Sequence, residues 1–213
     1  MRILFVGDLN LHSRTYQRKR AFEELGHDVM MHSPAPEGST VDSKPSPLGR
    51  VLWKLGLPSD LTQTNKTIML KVAEQRPDVV WIEKGNTVWP KTLRIAKKHS
   101  PATQIISYSE DDIFAPHNRS LFYTWGLRYY DVVVTTKSYN CNADELPSLG
   151  AKRMIFVDKA YDIHAHRPVL VTSDDIDALG GDVGFIGFYE RERAESMLYL
   201  ANHGMSLRVW GNE

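Results

Sequence analysis

The sequence predicts an α/β protein built on a doubly wound parallel sheet. Short runs rich in Val, Ile and Phe recur along the 213 residues, most of them continuously apolar, and helical stretches stand between many of them. A strand covered on both faces has no wet side and needs no alternation. Strands alternating with helices are joined by right-handed crossovers into a parallel sheet.

The elements follow in order. Residues 2–7 (RILFVG) form the first strand and 14–25 a helix, with Ala21, Phe22 and Leu25 expected on its inner face and Arg14 and Arg18 on that face near its start. Residues 28–32 (DVMMH) form the second strand. Residues 33–58 hold five prolines among Gly and Ser, too many breakers for a long helix, and are expected to run over one edge of the sheet. A helix over 61–75 precedes strand 78–83 (DVVWIE), and a helix over 89–99 precedes strand 104–108 (QIISY). A helix over 119–129 leads to strands 131–136 (DVVVTT) and 153–157 (RMIFV). The stretch 160–181 is polar and marks a boundary. Strand 182–188 (DVGFIGF), helix 191–203 stopped by Gly204, and strand 207–210 complete a last unit whose helix should bury Ala194, Met197, Leu198 and Ala201.

Composition bounds the function. With 26 basic and 26 acidic residues, 42% hydrophobic and 24% charged, the chain has the make-up of an ordinary globular protein. Zero net charge argues against a general binder of nucleic acid or anionic membrane, while leaving room for local basic patches. No apolar run approaches the roughly 20 residues that cross a bilayer, and Met1 leads directly into a strand, so a cytoplasmic protein without a transmembrane segment is expected. The single Cys141 has no partner thiol and reads as a bystander.

In open parallel sheets ligands bind beyond the carboxyl ends of the strands. The residues there are GDLN (7–10), EKGN (83–86), SEDD (109–112), Thr136 and Lys137, DKA (158–160) and GFYERER (187–193). GDLN is not the glycine fingerprint of a dinucleotide site, which disfavours an oxidoreductase; Gly7 fits a tight turn or a close backbone approach to a ligand equally well. Arg14 or Arg18 could meet an anion in the cleft or merely cover apolar surface. Three adjacent acids, Glu110, Asp111 and Asp112, suit a general base or a hydroxyl-binding pair; a solvated acidic turn is the other reading. The cluster lacks a spaced His or Cys, so no metal is expected there, and His164 and His166 read as surface residues. The order of acids and Lys137 does not fit a phosphorelay receiver. Arg191 and Arg193 lie in the first turn of a helix that follows Gly187, an arrangement that favours a diphosphate.

The opening MRILFVGDLN with AFEELGHDV, the later PDVVWIEKG and SEDD, and finally GFIGFYERERAESMLYLANHGMSLRVWG resemble successive units of glycosyltransferases of the two-domain GT-B fold, most closely the spore-maturation (CgeB-like) group. The similarity runs over nearly the whole chain. It implies an amino-terminal Rossmann-like domain on the acceptor side (1–161), a linker (162–181) and the first βαβ unit of a Rossmann-like donor domain (182–213). It further implies transfer of a sugar from a nucleotide diphosphate sugar to a glycan, lipid or protein acceptor in the interdomain cleft, without cofactor or essential metal. In the family the donor domain continues past its second strand, whereas this chain stops at Glu213, so the chain is expected to be truncated and inactive alone. On this reading Asp8, Asn10, Arg14 and Glu83 line the acceptor side, Asp111 or Asp112 acts as base, and Gly187, Arg191 and Arg193 face the donor diphosphate. A non-catalytic carbohydrate- or nucleotide-binding or assembly domain, and a nucleotide-sugar epimerase, are the rival readings.

Overall fold

The computed structural model describes every residue except His12, 40–42, 44 and 212–213, so part of the Pro-rich stretch lies outside the described residues. The chain divides into two compact units, Met1–Tyr161 and Asp162–Glu213.

The first unit runs β1 (Arg2–Val6), α1 (Arg14–Glu24), β2 (Asp28–His32), α2 (Pro47–Lys54), α3 (Thr64–Gln75), β3 (Val79–Glu83), α4 (Pro90–His99), β4 (Gln104–Ser109), α5 (Leu121–Gly126), β5 (Val132–Thr135) and β6 (Met154–Phe156), with short 3-10 turns around α5 and after β5. The six strands form one sheet in the order β2-β1-β3-β4-β5-β6, and every pairing is parallel. One face packs Leu4, Val6, Val80, Ile82, Ile105 and Val133 against Ile68 and Val72 of α3, Leu93 of α4, and Tyr123 of α5. On the other face Phe22 of α1 meets Phe5 and Trp81 edge to face. Helices on both faces of a parallel sheet make this the doubly wound architecture expected.

The inner face of α1 departs from expectation. Phe22 and Arg18 turn inward as expected, whereas Arg14, Ala21 and Leu25 are exposed and Thr15 and Lys19 share the inner face in their place. That stripe still has helical spacing, but two of its members are cations whose stems cover the sheet. Within the Pro-rich excursion, Ser46 caps α2 by accepting from Gly49 N and Pro47 stands in its first turn, where a missing N–H costs nothing. Breakers thus start this short helix.

The second unit comprises α6 (Ser173–Leu179), β7 (Val183–Ile186), α7 (Arg191–Asn202) and β8 (Leu207–Trp210). The two strands pair in parallel. α6 lies in the stretch expected to be a boundary between units, and its signal is local: Thr172 and Asp175 form a reciprocal capping box. Among the described residues of this unit no side chain is fully buried.

Candidate functional site

In the first unit the chain leaves β1 toward β2 on one side and returns to β3 on the other. This reversal opens a crevice between the carboxyl ends of β1 and β3, the position where such sheets bind ligands. Gly7 and Glu83 meet there. A Cβ at Gly7 would run into Thr15 Cγ2 and Glu83 Cγ, so the position admits only glycine without displacing both.

Arg18 reaches this crevice from α1. Its Nε donates to Glu83 Oε1 (2.7 Å) and its Nη2 to Glu83 Oε2 (3.1 Å), a two-pronged pair. Its Nη1 donates to Glu110 Oε1 (3.1 Å), and the guanidinium lies 4.0 Å from the centre of the Tyr108 ring. Trp81 Nε1 donates to Glu83 Oε1 (2.7 Å), which leaves Glu83 with three described donors and a side chain only 8% exposed. Burial lowers the Arg18 pKa, but the hydrogen bond and charge of Glu83 outweigh it and the net shift is upward. Arg14 Nη1 donates to Glu110 Oε2 (2.6 Å). Partial burial pushes the Glu110 carboxyl up, and its bonds to Arg14 and Arg18 more than offset this, holding it below the usual range.

The acids beyond β4 divide by environment. Asp111 pairs with Lys84 (2.6 Å), both half exposed. Lys84 and Gly85 stand in the left-handed region at φ 58° and 73°, a sharp reversal that is strained at a lysine. Asp112 Oδ1 accepts from Phe114 N (3.1 Å), Ala115 N (3.4 Å) and Asn140 Nδ2 (2.9 Å), which fixes its turn against the loop after β5. Arg119 stacks its guanidinium 5.0 Å from the Phe114 ring; burial lowers its pKa, while Asp112 and Glu145 act the other way. The described hydrogen bonds of Asp8 stay in the loop after β1, where Oδ1 accepts from Asn10 N and the carbonyl from Ser13 Oγ.

The structure therefore joins Arg14 and Glu83 through Glu110 and Arg18, sets Asp111 and Asp112 on the adjacent turn, and leaves Asp8 and Asn10 shaping their own loop. Arg18 and Glu110 hold this network together, although the roles expected from the resemblance fall on Arg14, Glu83, Asp111 and Asp112. Their signal was present: an arginine one turn beyond Arg14, and the first acid of SEDD. His32 was passed over. It ends β2 after the apolar Val29, Met30 and Met31, and its Nε2 lies 3.0 Å from Thr64 Oγ1 at the start of α3. Burial lowers its pKa, Lys71 adds to that, and Asp60 opposes it.

In the second unit Gly187 begins the loop from β7 toward α7. Arg191 Nε donates to Glu195 (2.8 Å) from a side chain 87% exposed, and Arg193 Nη1 lies 3.2 Å from Glu190. No side chain caps α7, so its first N–H groups keep the partial positive charge of a helix start. A groove of about 530 Å³ adjoins it, bounded by Phe185, Phe188, Arg193, Met197 and Val209. Among the described residues no group of three His, Cys, Asp or Glu side chains is placed to hold a metal ion.

No family model and no curated protein sequence matches the chain. Solved structures do. An alpha-glucosyltransferase in complex with UDP-glucose and DNA containing an abasic site is similar at 13% identity and TM-score 0.56, over 95% of this chain and 54% of that one. An alpha-glucosyltransferase with UDP and a 13-mer DNA containing a central A:G mismatch is similar at 15% identity and TM-score 0.51, over 98% and 55%. A Glycyrrhiza uralensis protein complexed with glycyrrhetinic acid 3-O-monoglucuronide is similar at 10% identity and TM-score 0.56, over 100% and 63%. The chain spans a little over half the length of these structures. At such identities the likeness establishes the fold, which is Rossmann-like and of the GT-B type.

Proposed function

We propose that the chain is the acceptor-side domain (1–161) and, after a linker (162–181), the opening of the donor-side domain (182–213) of a glycosyltransferase, a cytoplasmic member of the CgeB-like group that uses a nucleotide diphosphate sugar. The observation that supports this most is the similarity over at least 95% of the chain to structures that hold UDP or UDP-glucose. Because the chain spans little more than half of those structures, the rest of the donor pocket is assigned to a two-domain parent.

In this mechanism Asp8, Asn10, Arg14 and Glu83 orient the acceptor, a glycan, lipid or protein hydroxyl. Glu83 and Arg14 act largely by holding the crevice in shape through Arg18 and Glu110. The acceptor hydroxyl gives its proton to Asp111 or Asp112 as its oxygen attacks the anomeric carbon. The bond from that carbon to the diphosphate breaks, and the charge left on the diphosphate meets Arg191, Arg193 and the amide groups at the start of α7, beside Gly187. Asp111 Oδ1 and Asp112 Oδ2 carry no described hydrogen bond, so each acid retains an oxygen able to take a proton.

Incubation of the two-domain parent with nucleotide sugars, with and without an acceptor, should release nucleotide, and Asp111→Asn or Asp112→Asn in it should slow that release about 100-fold or more. Unchanged release in both variants would remove the base from the scheme. A second reading, a carbohydrate- or nucleotide-binding domain without turnover, draws on the engagement of Glu83, Glu110 and Asp112 with neighbouring residues; it predicts binding with no nucleotide release.

A further inference from the structure

The neutrality of the chain conceals two opposed units. Residues 1–161 hold 22 Lys and Arg against 17 Asp and Glu, while residues 162–213 hold 4 against 9. Within the first unit the excess is concentrated. Helices α2 (PLGRVLWK), α4 (PKTLRIAKKH) and α5 (LFYTWG) contain no acidic residue. Of their cations, Lys97 pairs with Asp131. Arg50, Lys54, Lys91, Arg94 and Lys98 are exposed and have no described side-chain hydrogen bond or ion pair.

Apolar side chains share this surface. Leu48 and Val51 of α2 and Leu55 at its C-cap recur at helical spacing, the stripe that an amphipathic helix ordinarily turns to a core. Here they are 67, 53 and 59% exposed. The exit of α2 is tied to α5, since Leu121 N donates to Gly56 O (2.8 Å). From α5, Phe122 stands between the exposed Trp89 and Trp125, its ring 6.4 Å from each. Trp89 in turn begins α4 and its row of cations. Aliphatic stripe, indoles and cations thus follow one another across three helices of one unit.

We infer that this surface docks on an anionic lipid bilayer, with α2 lying in the interface, its Leu48, Val51 and Leu55 toward the acyl chains and the two tryptophans at headgroup depth. The chemistry selects that occupant. A basic amphipathic helix gains from acyl burial and from lipid phosphates together, and tryptophan prefers the interface. Each Lys or Arg close to an anionic leaflet strengthens binding about fivefold. Nucleic acid would answer the cations and indoles but gives an aliphatic stripe nothing to enter. No helix among the described residues is long and apolar enough to cross a membrane, so the contact is peripheral. It is independent of the transferase chemistry above.

The full chain should co-sediment with phosphatidylcholine vesicles containing about one third phosphatidylglycerol, not with pure phosphatidylcholine, and should dissociate at about 1 M salt, where screening reaches about 3 Å. Arg94→Glu with Lys98→Glu should weaken binding about 25-fold or more, at about fivefold per cation. Leu48→Ser with Leu55→Ser should weaken it about tenfold and abolish a blue shift of tryptophan emission on binding. All four positions are exposed, and unchanged circular dichroism and Tm would confirm that the variants are folded. Absence of sedimentation, equal binding to neutral vesicles, or insensitivity to both variants would overturn the inference. So would tighter binding to single- or double-stranded DNA than to the anionic vesicles, or a dimer in sedimentation velocity that the Leu48 and Leu55 changes abolish.

Discussion

Arg18 is the residue on which the crevice depends, because among the described residues its guanidinium is the one cation shared by Glu83 and Glu110. Arg18→Met keeps the stem over the sheet and removes the charge, leaving Glu83 largely buried with Trp81 as its remaining described donor. Breaking such a pair is expected to destabilise the protein by about 3 kcal/mol in urea unfolding. Tyr123 contributes to the alkaline limb together with the equally buried Tyr130, whose pKa burial also pushes well upward. Tyr123 is fully buried, its hydroxyl lies 3.1 Å from Ser107 Oγ, and burial pushes its pKa up to about 12. In the unfolded chain it titrates near 10. A folded pKa above the unfolded one means that the contribution is complete below pH 10 and is lost as pH rises toward 12. The loss should reach roughly 2 to 3 kcal/mol from this group, at about 1.4 kcal/mol per pH unit. Unfolding free energies at pH 9 and pH 11.5 should therefore converge in Tyr123→Phe relative to the parent, at a neutral-pH cost of about 1 kcal/mol for the lost Ser107 bond.

At the scale of elements, Asn65 joins two helices whose starts lie on the same edge of the sheet. Its Nδ2 donates to Asp60 Oδ2 (2.8 Å) and to Thr87 O (2.9 Å), and its Oδ1 accepts from Trp89 N and Thr92 Oγ1, both at 2.8 Å. Asn65→Ala would strand several of these groups in a fully buried place, and a loss of about 3 kcal/mol in urea unfolding is expected. The eight strands were legible because each is an apolar run between polar turns, and their observed ends fall within about two residues of the expected ones. α2 and α6 were not legible, being short and specified by caps rather than by a buried stripe. The site was partly legible. Polar residues after each strand announced the rim, but its pairing was not written in any local motif. Arg18 and Glu83 are 65 positions apart, and only the return of β3 beside β1 brings them together.

For the whole molecule the two units have unequal interiors. The first buries a continuous cluster on one face of six strands, whereas the second has two strands and no fully buried side chain among its described residues. Protection from exchange follows buried contacts. Amides of β7 and β8 should therefore exchange with deuterium at least tenfold faster than those of β1 and β3 in the same sample, read peptide by peptide. Equal protection would mean that the second unit draws stability from contacts outside itself.

The place of β1 inside the sheet has a consequence for biosynthesis. The strand is made first, yet its two neighbours are β2 and β3, and β3 begins at Val79. At about 5 to 20 residues per second, roughly 4 to 15 s of translation separate RILFV from its second partner. Throughout that interval four side chains destined for 0 or 1% exposure have an unpaired edge beside them. A newborn chain of this design offers a sticky strand to other chains or to a chaperone before it can close its own sheet, so slowing codons between β2 and β3 would be expected to lower its soluble yield.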